Sequence, residues 1–154
     1  MKNNKQQLLL QQTDKKLEAF KDLKAKVIPT KGWINTFRTA LKMSLRQLGN
    51  RLNIAPQSTK EIEEREANGT ITLNSLRDVA NALDMQLVYG FVSKHESLEQ
   101  MIEKRAEELA LEIVMRTNNT MTLEDQQNSK ERIEKSIAQK TNEIKIEMPK
   151  YLWD

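Results

Sequence analysis

The sequence predicts a mostly α-helical chain organised around a helix-turn-helix, with one short strand after it, an N-terminal helix before it and a helical region behind. Three observations carry that expectation. Apolar residues recur at helical spacing through most of the 154 residues. The stretch Ser44–Glu63, SLRQLGNRLNIAPQSTKEIE, reads as two short helices around a tight turn. The run Met85–Val92, MQLVYGFV, is short and rich in β-formers, which reads as a strand.

Residues 4–26 place Leu10, Leu17, Phe20 and Leu23 near helical spacing with lysines opposite, until Pro29 and Gly32 break the chain. A second helix over 33–42 carries Trp33, Ile34, Phe37 and Leu41 on one face. Ser44 suits the N-cap of the next helix, whose inward stripe is Leu45, Leu48 and Leu52. Asn53 stands where the turn needs a residue that tolerates left-handed backbone. Pro56 suits the first turn of the following helix, because the N–H it lacks has no intrahelical acceptor there. Ile62 anchors that helix inward, which leaves Gln57, Ser58, Lys60 and Glu61 facing out. Asn68-Gly69 marks a turn, and residues 73–83 resume helical spacing through Leu73, Leu76, Val79, Ala80 and Leu83. Ser97 suits the N-cap of a long helix reaching about residue 118. A charged helix over 129–147, with Ile133, Ile137 and Ile144, is stopped by Pro149. The expected organisation is an N-terminal helix over 1–30, a DNA-binding domain with its strand over 31–93, and a helical partner-binding region over 94–154.

Composition narrows the function. The chain has no cysteine and one histidine, His95, so thiolate chemistry, Cys-based zinc sites and His-centred acid–base work lack raw material. Four scattered glycines form no phosphate-cradling loop. No enzyme activity, catalytic residue, cofactor or metal is expected. No apolar run approaches the ~20 residues that span a bilayer, and LLL at 8–10 lacks the flanks of a signal peptide, so a cytoplasmic protein is expected. Net charge falls from +4 over residues 1–30 to +2 over 31–93 and −3 over 94–154. That gradient fits a front that meets phosphate and a back that meets protein or solvent; it equally fits ordinary solvated helix surfaces.

The helix-turn-helix makes double-stranded DNA the first expected partner. Gln57 and Ser58 are the candidates for base edges, since Gln pairs bidentately with adenine and Ser contacts either base type or phosphate. Arg46 and Gln47, opening the first helix of the motif, are candidates for backbone phosphate, as helix N-termini favour anions. Lys60 reaches phosphate or solvent, and Glu61 completes the outward face. One recognition helix reads few bases, which argues for a homodimer on a palindromic operator. Met85–Val92 then pairs either with its twofold copy or within its own subunit. Tyr151, Leu152 and Trp153 either dock a partner or fold back on the last helix.

From Gly32 to Val92 the sequence resembles the Cro/cI-like, XRE-type helix-turn-helix domain. In that family an Arg and a Glu form a structural ion pair, a role the resemblance gives to Arg38 and Glu63. The wider pattern, GWINTFRTALKMSLRQLGNRL, APQS, EREANGTITLNSL, LVYGFV and LEDQ, resembles the family called mobile mystery protein A over nearly the whole chain. The resemblance implies a bacterial, antitoxin-type regulator encoded beside a Fic-domain protein, a fold that usually transfers AMP to protein hydroxyls. It also gives meaning to Thr120 and Glu124. Small antitoxins of Fic enzymes carry Ser or Thr, three residues, Glu, then Gly or Asn, and here Asp125 takes the last place. In those proteins the glutamate occupies an arginine that must hold the ATP γ-phosphate, a charge-assisted competition. Two other readings remain: a stand-alone dimeric repressor whose C-terminal helices only oligomerise it, and a protein adaptor that uses the motif as a packing unit.

Overall fold

The computed structural model describes residues 2–26, 28–121 and 129–154. Among them the chain is mostly helical: α1 (Lys2–Leu17), α2 (Gly32–Ala40), α3 (Leu45–Leu52), α4 (Pro56–Asn68), α5 (Leu73–Ala82), α6 (Leu98–Met121) and α7 (Ser129–Glu147). Single 3-10 segments follow α1 at Glu18–Leu23 and α7 at Lys150–Trp153. No helix among the described residues is long and apolar enough to cross a membrane. The chain divides into two compact units, residues 22–90 and residues 1–21 with 91–154.

In the 22–90 unit, α2, α3 and α5 close on Ile34, Leu48, Val79 and Leu83, with Phe37, Leu52, Ile62 and Leu76 packed around them. Of the four residues expected on the buried face of α2, Ile34 and Phe37 turn inward. Trp33 stacks on Phe37 at 5.6 Å between ring centroids but stays exposed, as does Leu41. Helix α2 ends before Leu41 because Lys42 adopts left-handed backbone and Met43 N–H returns to the Arg38 carbonyl.

The first helix, read from sequence as an element of its own, groups with the C-terminal helices. Leu10 packs against their core, and the Asp14 carboxylate accepts a hydrogen bond from Leu98 N–H at 2.8 Å. Asp14 thereby joins Ser97, whose hydroxyl accepts from Gln100 N–H, in satisfying the open N–H groups at the start of α6. Helices α6 and α7 run antiparallel, since Lys145 near the end of α7 meets Glu99 and Glu103 at the start of α6, at 3.6 and 3.7 Å. Ala106 and Ala110 are fully buried between them, small enough to admit Ile144 and Leu152. Helix α7 stops as expected before Pro149, with Met148 in left-handed backbone.

The expected strand at 85–92 is not present: among the described residues there is no strand at all. Residues 85–93 run without helix, turn or bend. The physical reason is the lack of a partner, since a strand is defined by the ladder it makes with another. At residues 151–153 the chain folds back through Leu152, onto α6 as well as onto the last helix. Leu152 is fully buried, and Arg105 donates from Nε to the Leu152 carbonyl at 2.7 Å and from Nη2 to the Asp154 carbonyl at 2.8 Å. Tyr151 and Trp153 remain about half exposed on either side of it.

Candidate nucleic-acid interface

The site is built on α3, a short turn and α4. Ser44 caps α3 through a reciprocal box: its hydroxyl accepts from Gln47 N–H at 3.1 Å, and Gln47 Oε1 accepts from Ser44 N–H at 2.8 Å. Asn53 closes α3 in left-handed backbone, φ 57° and ψ 40°, as its place in the sequence suggested. Pro56 takes the first turn of α4 with Ala55 in extended backbone before it.

What lets α4 approach α3 so closely is Gly49, which sequence reasoning passed over. A Cβ there would lie 2.8 Å from both the Ile54 carbonyl oxygen and the Thr59 hydroxyl. Thr59 is fully buried, and its hydroxyl donates to the Ala55 carbonyl at 3.2 Å. Gly49, Ile54 and Thr59 therefore set the helix-to-helix distance in the motif. The available signal was a glycine four residues before the Asn53 turn, in the middle of a helix where it otherwise costs stability.

Two glutamates of α4 bind the motif to α2. Arg38 donates from Nε and Nη2 to the Glu63 carboxylate and from Nη1 to the Met43 carbonyl, and Asn35 Nδ2 donates to Glu63 Oε2. The pair is mostly buried, and the hydrogen bond to Glu63 raises the Arg38 pKa further above its ordinary value, against the opposing effect of burial. The ion pair implied for Arg38 and Glu63 is thus formed. Glu66 caps α2 from across the unit, its Oε1 accepting from Trp33 N–H and its Oε2 from Ile34 N–H, both at 2.8 Å. Gly32, at φ 84°, makes room for it, since a Cβ there would sit 2.7 Å from Glu66 Oε2. Glu63 and Glu66 are therefore committed to internal partners, while Glu61 and Glu64 on the same helix are exposed.

The outward residues fall as follows. Gln57, Lys60 and Glu61 on α4 are exposed, while Ser58 is half buried. Glu61 faces Arg65 one turn on, at 3.8 Å, an exposed pair worth little. Arg46 is exposed in the first turn of α3, where the Leu45 and Arg46 N–H groups have no intrahelical acceptor. Gln47 has its Oε1 in the capping box, so only its Nε2 donors remain for another partner. The arrangement offers an anion a helix N-terminus with an arginine on it, and offers a base edge the amide of Gln57.

Thr120 lies in the last turn of α6, and Glu124 lies outside the described residues. Comparison with protein-family models, with curated proteins and with solved structures finds no match for this chain.

Proposed function

We propose that this protein is a DNA-binding, antitoxin-type transcriptional regulator of bacteria, acting in the cytoplasm as a homodimer on a palindromic operator. In this reading residues 22–90 are a Cro/cI-like domain with α4 as the recognition helix. The observation that carries it is the α3–α4 pair itself: two capped helices held at a glycine contact, braced from behind by Glu63 and Glu66, with Gln57, Lys60 and Arg46 left exposed. Regulation of its own operon follows from the resemblance to mobile mystery protein A.

The second half of the proposal is that the C-terminal unit holds a Fic-domain partner and silences AMP transfer through Thr120 and Glu124. It is supported by that resemblance and by the spacing of the two residues. The alternative is a stand-alone dimeric repressor whose C-terminal helices only oligomerise it; Leu111, Met115 and Ile146, exposed on α6 and α7, leave apolar surface that a second copy could cover as well as a partner. One experiment addresses both halves. The chain is co-expressed with the product of the adjacent gene, the complex is isolated and assayed for AMP transfer, and footprinting is run on the upstream DNA. Protection of two half-sites about one helical turn apart supports the regulator, and a silent, stable complex supports the antitoxin. Lack of protection anywhere upstream overturns the first, and lack of association the second.

A further inference from the structure

Helix α2 carries the apolar residues Trp33, Phe37 and Leu41, and the fold uses them only in part. Phe37 packs against the core of the 22–90 unit, while Trp33 is 44% exposed and Leu41 55%. The three stand four residues apart, and Leu41 N–H still donates to the Phe37 carbonyl at 2.9 Å, so they form one ridge along the helix. The Trp33 and Phe37 rings stack with 25° between their planes, which orders the first half of the ridge. The helix beneath is held at both ends. Glu66 accepts from Trp33 and Ile34 N–H at its start, and Arg38 donates to the Met43 carbonyl beyond its end. An exposed tryptophan on a helix held in this way is the kind of residue that anchors an interface.

Charge around the ridge has one sign. From Leu23 to Lys60 the chain contains no Asp or Glu, and Lys31 and Lys42, both exposed, stand directly before α2 and just beyond Leu41. Helix α4 packs on α2, but its Glu63 and Glu66 are spent on Arg38, Asn35 and the first N–H groups of α2. Its exposed acids, Glu61 and Glu64, lie about one and two turns from Gln57, on the side of α4 turned away from Glu63 and Glu66.

We infer that the ridge Trp33–Phe37–Leu41 is a docking surface for an acidic amphipathic helix of another protein, whose apolar residues lie along the ridge and whose carboxylates near both ends meet Lys31 and Lys42. A ridge of residues four apart is what one helix packs into the groove of another. Its length, about 12 Å from Trp33 to Leu41, matches about two turns of a partner helix. A second copy of this chain is a poorer occupant. Laid antiparallel on the same ridge it brings Lys31 to Lys42 at both ends, and laid parallel it brings each lysine to itself. The inference adds a protein contact that the regulator reading does not contain, and stands without that reading. In the proposed regulator the two surfaces are compatible: Gln57 and Glu66 are about two and a half turns apart on α4, so DNA and α2 meet opposite sides of that helix.

The full chain carrying Trp153→Phe retains Trp33 as its only tryptophan and reports on the ridge by fluorescence. Three probes are titrated into it. The first is a synthetic helix-forming peptide of about 15 residues with leucines at i, i+4 and i+7 and glutamates at both ends; the second has lysine at every glutamate position; the third is vesicles of phosphatidylcholine with phosphatidylglycerol. The acidic peptide is expected to move Trp33 emission to shorter wavelength, to saturate, and to bind more weakly as salt is raised; the lysine peptide and the vesicles are expected to leave it unchanged. Lys31→Gln with Lys42→Gln should weaken the acidic peptide about fivefold. Leu41→Ser, at an exposed position that the fold does not depend on, should weaken it by a similar factor with circular dichroism unchanged. No shift with the acidic peptide, or an equal shift with both peptides, overturns the inference. A shift with vesicles alone would assign the ridge to a lipid surface, and a dimer in sedimentation that Leu41→Ser dissociates would assign it to a second copy; each of these overturns the inference as well.

Discussion

Arg38 and Glu63 are joined by two parallel hydrogen bonds, from Nε and Nη2 to the two carboxylate oxygens, across the packing of α2 on α4. The fork of a guanidinium matches a carboxylate in this way, and lysine cannot. A third bond, from Arg38 Nη1 to the Met43 carbonyl, ties the same side chain to the loop entering α3. One residue thereby fixes both α4 and the chain that leads into α3.

Removing the arginine leaves Glu63, only 8% exposed at its side chain, with Asn35 as its remaining donor. Arg38→Ala should therefore lower the stability of the 22–90 unit by up to about 3 kcal/mol, most of it the cost of an unpaired, poorly hydrated carboxylate. Arg38→Ala combined with Glu63→Ala should cost less than the sum of the two single changes. Urea unfolding of the three variants measures this, and strict additivity would show that the pair is not coupled.

Gly49 gives the second prediction. The obstacle to a side chain there is partly backbone, the Ile54 carbonyl, which cannot rotate away as a side chain does. Gly49→Ala should destabilise by about 1–3 kcal/mol although alanine is the better helix former, because α4 must be pushed off α3. The same displacement should weaken DNA binding. Gly69→Ala makes a useful contrast, since Gly69 has open space around it but a φ of 81°. It should lose stability through backbone strain alone and leave the α3–α4 contact intact. Equal effects of both changes on DNA affinity would contradict this division.

What the sequence disclosed and what it withheld separate by range. Ser44, Asn53, Pro56 and Gly69 act on backbone within four residues of themselves, so residue type and position were enough to place them. Glu66 reaches α2 from 33 residues away and Arg105 reaches Leu152 from 47, and local pattern carries no trace of either. Glu66 has no role that its sequence neighbours suggest, yet it is the side-chain cap that α2 lacks within its own sequence. The strand failed for a different reason: the β-forming run is there, but no other segment among the described residues makes a ladder with it, and composition alone does not supply one. Gln47 was assigned to phosphate without its competing local role, since a glutamine three residues after an N-cap serine is half of a capping box.

At the DNA interface, reading and positioning should come apart. Gln57→Ala removes an exposed amide from the first turn of α4 and should relax preference at one base pair by about 1–3 kcal/mol. Arg46→Ala should instead weaken binding to every sequence alike and reduce the salt dependence by about one counterion. Titration of specific and random duplexes at several salt concentrations distinguishes the two. If both substitutions lower affinity uniformly, α4 is not the helix that reads the bases.

The last prediction concerns silencing of a Fic partner, which the proposal assigns to Glu124 and separates from DNA binding. Thr120 closes α6 in one compact unit, and the residues offered to DNA belong to the other, so the two activities share no side chain. Glu124→Gly should therefore leave operator affinity unchanged. It should also leave the complex with the partner intact, because one carboxylate contributes little to a helical interface of ordinary size. At the partner's active site its effect should be large: an arginine freed of the carboxylate can take up the ATP γ-phosphate, and AMP transfer begins. The measurement is AMP incorporation by the co-purified pair, wild type against Glu124→Gly, with the complex confirmed by size-exclusion chromatography before and after. Transfer by the variant and silence in the wild type support an inhibitory carboxylate. Silence in both, with the complex intact, would assign any inhibition to blocked access and reduce the Thr120–Glu124 spacing to coincidence.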